Sequence, residues 1–261
     1  MAAHLPFVVV IIKFNLSMLN VMKSKYFHRL VFLAASLYLI GAASAQTISG
    51  LQPESPVLLV SEADGEAQMG VKNSDASHLL LYTNVYDVDG DTKLQVIPLP
   101  PIVRVNAGGR QLVRFVLENA GEPLKVQHYK RVTFEGIPEI SNKTTESRVR
   151  VNVRYDLPVI ISPKGLKLNE TPWDLMVWSV DGNKLVVNNP SPYVVRMSRE
   201  VDLLPALTRV EIARRTFILP GETLSLDLPV GTVAKSINGV RLFPATLYGY
   251  TAPDYDAPLK H

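Results

Sequence analysis

From Gln46 onward the chain repeatedly alternates apolar and polar residues with a period of two. The clearest case is residues 148–155, where Val149, Val151, Val153 and Tyr155 alternate with Arg148, Arg150, Asn152 and Arg154. A period of two puts successive side chains on opposite faces of an extended strand. Shorter runs, alternating or rich in β-branched and apolar residues, are Val57-Leu58-Leu59-Val60, His78-Leu79-Leu80-Leu81-Tyr82, residues 111–117 and Lys184-Leu185-Val186-Val187. Between them lie turn pairs: Asp64-Gly65, Asp89-Gly90, Gly108-Gly109, Asp181-Gly182, Pro220-Gly221 and Asn238-Gly239. Many short strands with turns at regular intervals predict β-sandwiches. No segment keeps a helical period and no internal repeat is visible, so the expected fold class is all-β.

The span 46–261 is too long for one sandwich and suits two of about 100 residues each. Pro158 and Pro163 lie too close together for both to sit in a central strand. They predict a stiff connection, with one domain over residues 46–158 and a second over 159–261.

The N-terminal 45 residues read as an export segment. They hold no Asp or Glu. A basic stretch from Met22 to Arg29 leads into the apolar run 30–40, then into Ala43-Ser44-Ala45. Basic, apolar and small-residue zones in that order make a secretory signal cut before Gln46. The apolar run is short of the ~20 residues a spanning helix needs, so no stable membrane insertion is expected after cleavage. A second apolar stretch precedes Met22, and translation is expected to start at Met22. Export also resets the charge. Lys13, Lys23, Lys25 and Arg29 leave with the signal, so 27 Lys+Arg become 23 against 24 Asp+Glu, a net −1. The basic character of the whole chain therefore gives no footing for nucleic-acid binding.

Candidate chemistry is sparse. Cysteine is absent, which removes thiol nucleophiles, thiolate metal sites and disulfides. Asp87-Val88-Asp89-Gly90-Asp91 opens like a calcium loop, but Gly90 comes too early and the twelfth position is Pro98. A tight Asp-Gly turn accounts for it. His78 and His128 have no acidic or histidine neighbour at ligand spacing. No nucleophile elbow or phosphate loop occurs. Neither catalytic residues, nor a metal, nor a cofactor is expected. On pattern alone, residues 148–155 form a half-buried strand with a solvated basic face, and repeated arginine also discourages edge aggregation.

Taken together, several segments resemble the periplasmic pilus-chaperone family. Residues 97–114 carry Pro100-Pro101-Ile102-Val103-Arg104 and then Gly108, Gln111 and Arg114, similar to that family's proline-rich hairpin. Phe134-Glu135-Gly136-Ile137-Pro138 is similar to its strand end, Asn189-Pro190-Ser191-Pro192-Tyr193 to its Asn-Pro motif, and Leu219-Pro220-Gly221 to a later turn. The resemblance implies two immunoglobulin-like β-sandwich domains joined at an angle. It implies a non-enzymatic periplasmic chaperone that lends a β-strand to pilus subunits and passes them to an outer-membrane usher. Strand lending satisfies a subunit's exposed groove and its unpaired backbone groups at once. The lending strand maps to Val149, Val151 and Val153. The basic residue that anchors the subunit's carboxylate maps to Arg154, or to Arg150 in a shifted register. A second anchor arginine, on the first strand, is replaced here by Ser55. The short loop 140–147 matches the class that builds rod-like pili. A self-capping homodimer is left open. The rival readings are an exported adhesion module of the same domains and a pilus subunit, and the latter would be a single incomplete sandwich.

The export reading makes a direct prediction. N-terminal sequencing of the periplasmic protein should begin at Gln46, with translation from Met22 sufficient to produce it. Residues upstream of Ala45 on the exported form would overturn the cleavage site.

Overall fold

The computed structural model describes residues 50–118, 121–138, 153–212 and 215–260. The expected export segment lies outside the described residues. So do Arg148, Val149, Arg150, Val151 and the loop 140–147.

Two immunoglobulin-like β-sandwiches follow each other along the chain. In the first, β1 (Leu51–Pro53), β3 (Glu66–Asn73), β7 (Arg110–Glu118) and β5 (Gln95–Leu99) form one sheet in that order. The facing sheet runs β2 (Leu58–Ser61), β9 (Arg154–Ser162), β8 (His128–Pro138), β4 (Leu79–Asp87), β6 (Ile102–Val105). In the second sandwich, β10 (Val177–Asp181), β11 (Lys184–Asn188) and β16 (Thr223–Asp227) oppose β14 (Thr208–Glu211), β13 (Glu200–Leu204), β17 (Gly239–Leu242) and β18 (Tyr255–Pro258). A short pair, β12 (Val195–Arg196) with β15 (Phe217–Ile218), completes it.

Alternation produces the cores. On β4, Leu79 and Leu81 are buried while Leu80 and Tyr82 face out. On β8, Val132 and Phe134 point inward and Phe134 meets Phe115 of the opposing sheet edge-to-face, with ring centroids 6.1 Å apart. Edge-to-face rings gain beyond the area they bury. The second core gathers around Trp178, Leu185, Val187, Val201, Leu203 and Val240.

β9 departs from expectation. It runs through Pro158 to Ser162, four residues past the expected domain end. Only Pro163 falls outside the strand. The reason is that β2 pairs with β9 from Val159 onward. At Pro158 one flank of β9 has no partner strand, and a residue without an N–H is tolerated there.

Each sandwich is closed by a buried asparagine, and the two closures match. Asn73 ends β3, and its Oδ1 accepts the N–H of Asp75 two residues on. Its Nδ2 donates to the carbonyl of Ser77 four residues on and to Val105 and Asn106 across the sandwich, at 2.9–3.1 Å. Asn189 follows β11. Its Oδ1 accepts from the N–H of Ser191, and its Nδ2 donates to Tyr193 and, across the second sandwich, to Leu219. The backbone repeats the theme: Asn73 N–H bonds Gly109 O and Asn189 N–H bonds Glu222 O. Both partner turns contain a positive-φ glycine, Gly108 and Gly221, a conformation that glycine adopts without strain. Both asparagines are fully buried, so their lost water contacts must be replaced inside the protein.

Asn73→Ala and Asn189→Ala should each lower unfolding stability by about 2–3 kcal/mol, because buried carbonyls lose their donor. Urea unfolding midpoints of the two variants should fall by similar amounts.

Candidate functional site

The site is built where β9, β8 and the second sandwich meet. Arg154 opens β9, exposed, opposite Glu135 on β8. Val153 precedes it and is 39% exposed. Along 154–157, β8 covers one flank of β9, and no strand among the described residues covers the other. This open edge leads directly into residues 148–152. Of the expected strand-lending residues, only Val153 and Arg154 are therefore placed. Ser55 lies just before β2, where its Oγ donates to Val57 O at 2.8 Å and accepts from Val57 N–H. It shapes a turn and brings no charge.

The joint between the sandwiches is apolar at its centre. Tyr129, fully buried, stacks on Phe217 of the second sandwich with centroids 4.1 Å apart. Val57, Ile160, Val194 and Leu219 pack around this pair. Gln127 ties the backbones: its N–H donates to Pro192 O, and its Oε1 accepts the Val194 N–H at 2.9 Å.

Under the joint lies a charged network that sequence reasoning missed. Lys130 is 1% exposed, and its Nζ donates to Asp87 Oδ1 and to Asp91 O, both at 2.7 Å. Asp91 Oδ2 accepts the Tyr129 N–H at 2.7 Å, and Oδ1 lies 2.9 Å from His128 Nδ1. Burial alone would raise the Asp91 carboxyl. The His128 ring, the Tyr129 N–H and nearby Lys130 outweigh it and hold the group below its ordinary value. The turn resembling a calcium loop is thus pinned by a lysine and a histidine. It is also pressed against the second sandwich: a Cβ at Gly90 would come within 3.2 Å of Leu219. His128, which has no acidic neighbour in sequence, gains one from 37 residues away.

A second polar cluster sits on the outer face. Arg131 donates from Nε to Asp156 Oδ1 at 3.0 Å and from Nη2 to Asp156 O at 2.7 Å. The Tyr86 hydroxyl donates to the other oxygen of Asp156 at 2.7 Å. Burial works against the Arg131 charge, but Asp156 and the Tyr129 hydroxyl overcome it and raise its affinity for the proton. Arg196, from β12 of the second sandwich, is pushed the other way. Burial lowers its proton affinity, and neighbouring Arg131 adds to the effect. Among the described residues, no group of three or more His, Asp or Glu side chains is arranged to hold a metal ion.

Two such sandwiches, with an open strand edge at their joint, have counterparts among known proteins. A model described as the pili and flagellar-assembly chaperone, PapD N-terminal domain, matches residues 50–167. A second, the pili assembly chaperone PapD, C-terminal domain, matches residues 171–249. The chain belongs to the pilus-assembly chaperone family. The uncharacterized fimbrial chaperone YhcA of Escherichia coli (strain K12) is 40% identical over 213 residues, covering 81% of this chain and 92% of the relative. The probable fimbrial chaperone LpfB of Escherichia coli O157:H7 is 26% identical over 222 residues, covering 83% and 90% respectively. Among solved structures, the SafA pilin–SafB chaperone complex of Salmonella enterica superposes with a TM-score of 0.64 at 18% identity. That match covers 82% of this chain and 99% of the other. This fimbrial chaperone therefore carries its family's fold.

Replacing Asp91 tests the buried network. Asp91→Asn should lower stability at neutral pH by about 2 kcal/mol or more, since Lys130 and His128 lose their shared anion. The Asp91 pKa is depressed from 3.8 in the folded state. Its stabilisation is therefore complete above 3.8 and lost as pH falls through the lower folded value. The gap between the urea midpoints of variant and native protein should narrow as pH drops below 3.8.

Proposed function

We propose that this chaperone holds pilus subunits in the periplasm by lending them the strand that enters β9. Val149, Val151 and Val153 would fill the subunit's groove. Arg154, or Arg150 in the shifted register, would meet the subunit's terminal carboxylate. The observation that carries this reading is the open flank of β9 at 154–157, reached from an exposed Val153. A strand edge with one side vacant is a template for adding a strand from another chain. Each valine taken fully into a groove contributes roughly 1.5–3 kcal/mol. SafB is found in complex with the SafA pilin, and that supports a subunit as the occupant. The reading needs no catalytic step and no cofactor.

Delivery to an outer-membrane usher requires a second surface. Leu80, Tyr82, Ile102 and Ile137 form an exposed apolar patch on the outer face of β4, β6 and β8, where Leu80 pairs with Ile137 and Tyr82 with Ile102. Apolar area of this kind marks interaction sites. A self-capped homodimer of the free protein fits the same open edge of β9.

Val151→Asp and Val153→Asp should leave the circular dichroism spectrum unchanged and abolish recovery of a co-produced pilus subunit, because a charge would have to enter an apolar groove. Arg154→Ala should lose subunit binding, Arg154→Lys should recover part of it since the bidentate geometry is lost, and Arg148→Ala should be mild. Native subunit yield from both folded aspartate variants would return this segment to the status of an ordinary edge strand.

A further inference from the structure

We propose that the linker and the two sandwiches enclose a small-molecule site, which takes one compact uncharged molecule with an acceptor oxygen at one end and an apolar body. The site is independent of the subunit-binding reading and uses none of the residues placed in it.

A cavity of about 120 Å³ opens where residues 166–172 meet both sandwiches. All three segments form its wall. Ile160 and Ser162 come from β9, Leu166 and Asn169 from the linker, and Val194 and Leu247 from the second sandwich. An apolar cavity of about 150 Å³ in another protein admits benzene, so the space here suits a body of about six heavy atoms.

The wall is mixed in chemistry. Ile160, Leu166, Val194 and Leu247 are apolar, while Gln127, Ser162 and Asn169 are polar. Water finds no hydrogen-bond partner along the apolar part. An apolar body that displaces such poorly held water gains free energy, and a polar end that meets the remaining groups keeps their bonds.

The polar groups with spare capacity are donors. Gln127 engages both ends of its amide: Nε2 donates to Ser162 Oγ at 3.1 Å, and Oε1 accepts the Val194 N–H. The Ser162 hydroxyl accepts that bond, and among the described residues its own proton has no acceptor. Asn169 Oδ1 accepts the Thr171 N–H at 3.0 Å, and among the described residues its Nδ2 has no acceptor. A hydroxyl and an amide with unused protons match an acceptor oxygen. Both are neutral. Arg196 is also on the wall, but it is engaged by the Thr246 carbonyl and the Tyr129 hydroxyl. An ion entering the cavity would exchange its water for two neutral donors, at high cost. A ketone, amide or lactone oxygen has far less hydration to lose.

The probe is N,N-dimethylacetamide, which is of this size and carries an acceptor and no donor. It is titrated into the full exported chain labelled on its Ile, Leu and Val methyl groups. The expected result is saturable binding, with Overhauser contacts from the probe to the methyls of Leu166, Val194 and Leu247. Asn169→Asp keeps the acceptor for Thr171 and removes the donor, so it should weaken binding about ten-fold. Ala245→Leu, on the cavity wall, should fill the space and abolish binding. Its urea midpoint checks that it folds, and Asn169→Asp carries the test if it does not. N,N-dibutylacetamide should be too large to bind. The site is overturned, and the cavity holds water only, if the probe makes no contact with these methyls or if Asn169→Asp binds it as the native protein does. The ligand class is overturned if acetate or methylammonium binds there more tightly than the amide.

Discussion

A β-strand presents backbone donors and acceptors on two flanks, and β9 has two partner strands for only half its length. Beyond Val159 it lies between β2 and β8, while from Arg154 to Leu157 it has β8 alone. Much of the first sandwich is arranged around that difference. β2 joins the sheet late, which is why Pro158 can occupy a strand. The side of β9 turned to the core stays anchored through Tyr155 and Leu157, so the strand is held in place while its edge stays available. The proposed function and the fold make opposite demands on the same backbone. The division at Val159 gives each of them half a strand.

The joint imposes a second constraint. A lent strand of the kind proposed is useful only if the other domain stands in a fixed relation to it. Apolar packing around Tyr129 and Phe217 is reinforced from beneath by Lys130, Asp91 and His128, which tie the 87–91 turn to β8. Buried ions seldom add net stability over a well-packed apolar equivalent. Their directional bonds do fix which way the turn faces, and the turn meets Leu219. The charges here specify an orientation.

Strands and turns were legible in the sequence because alternation and Asp-Gly pairs are local signals. The strand boundary was not, because whether proline is tolerated depends on which flank is paired, and β2 lies about 100 residues away from β9 in the chain. The proposed lending residues were found through likeness to a family and through the valine alternation, of which Val153 alone is placed. Arg196, Asp156 and the Asp91–His128 pair gave no signal, since each acquires meaning only from a partner far along the chain. Lys130 did carry one. It shares the inward parity of Val132 and Phe134 on β8, and a lysine at a core position calls for an anion. The matching closures at Asn73 and Asn189 were invisible as a repeat because the asparagine is nearly all that the two segments share: Asn73-Ser74-Asp75 against Asn189-Pro190-Ser191.

Those closures bear on how the chain acquires its shape. Asn73 reaches no farther than Gly109, and Asn189 no farther than Glu222. Each lock is made wholly within its own sandwich. All nine strands of the first sandwich precede the first strand of the second. A polypeptide emerging N-terminus first can therefore complete its leading half before the trailing half exists. Only the Tyr129–Phe217 stack and its surroundings must wait. Order of synthesis and order of assembly coincide, and the last contacts to form are the ones that orient the two halves.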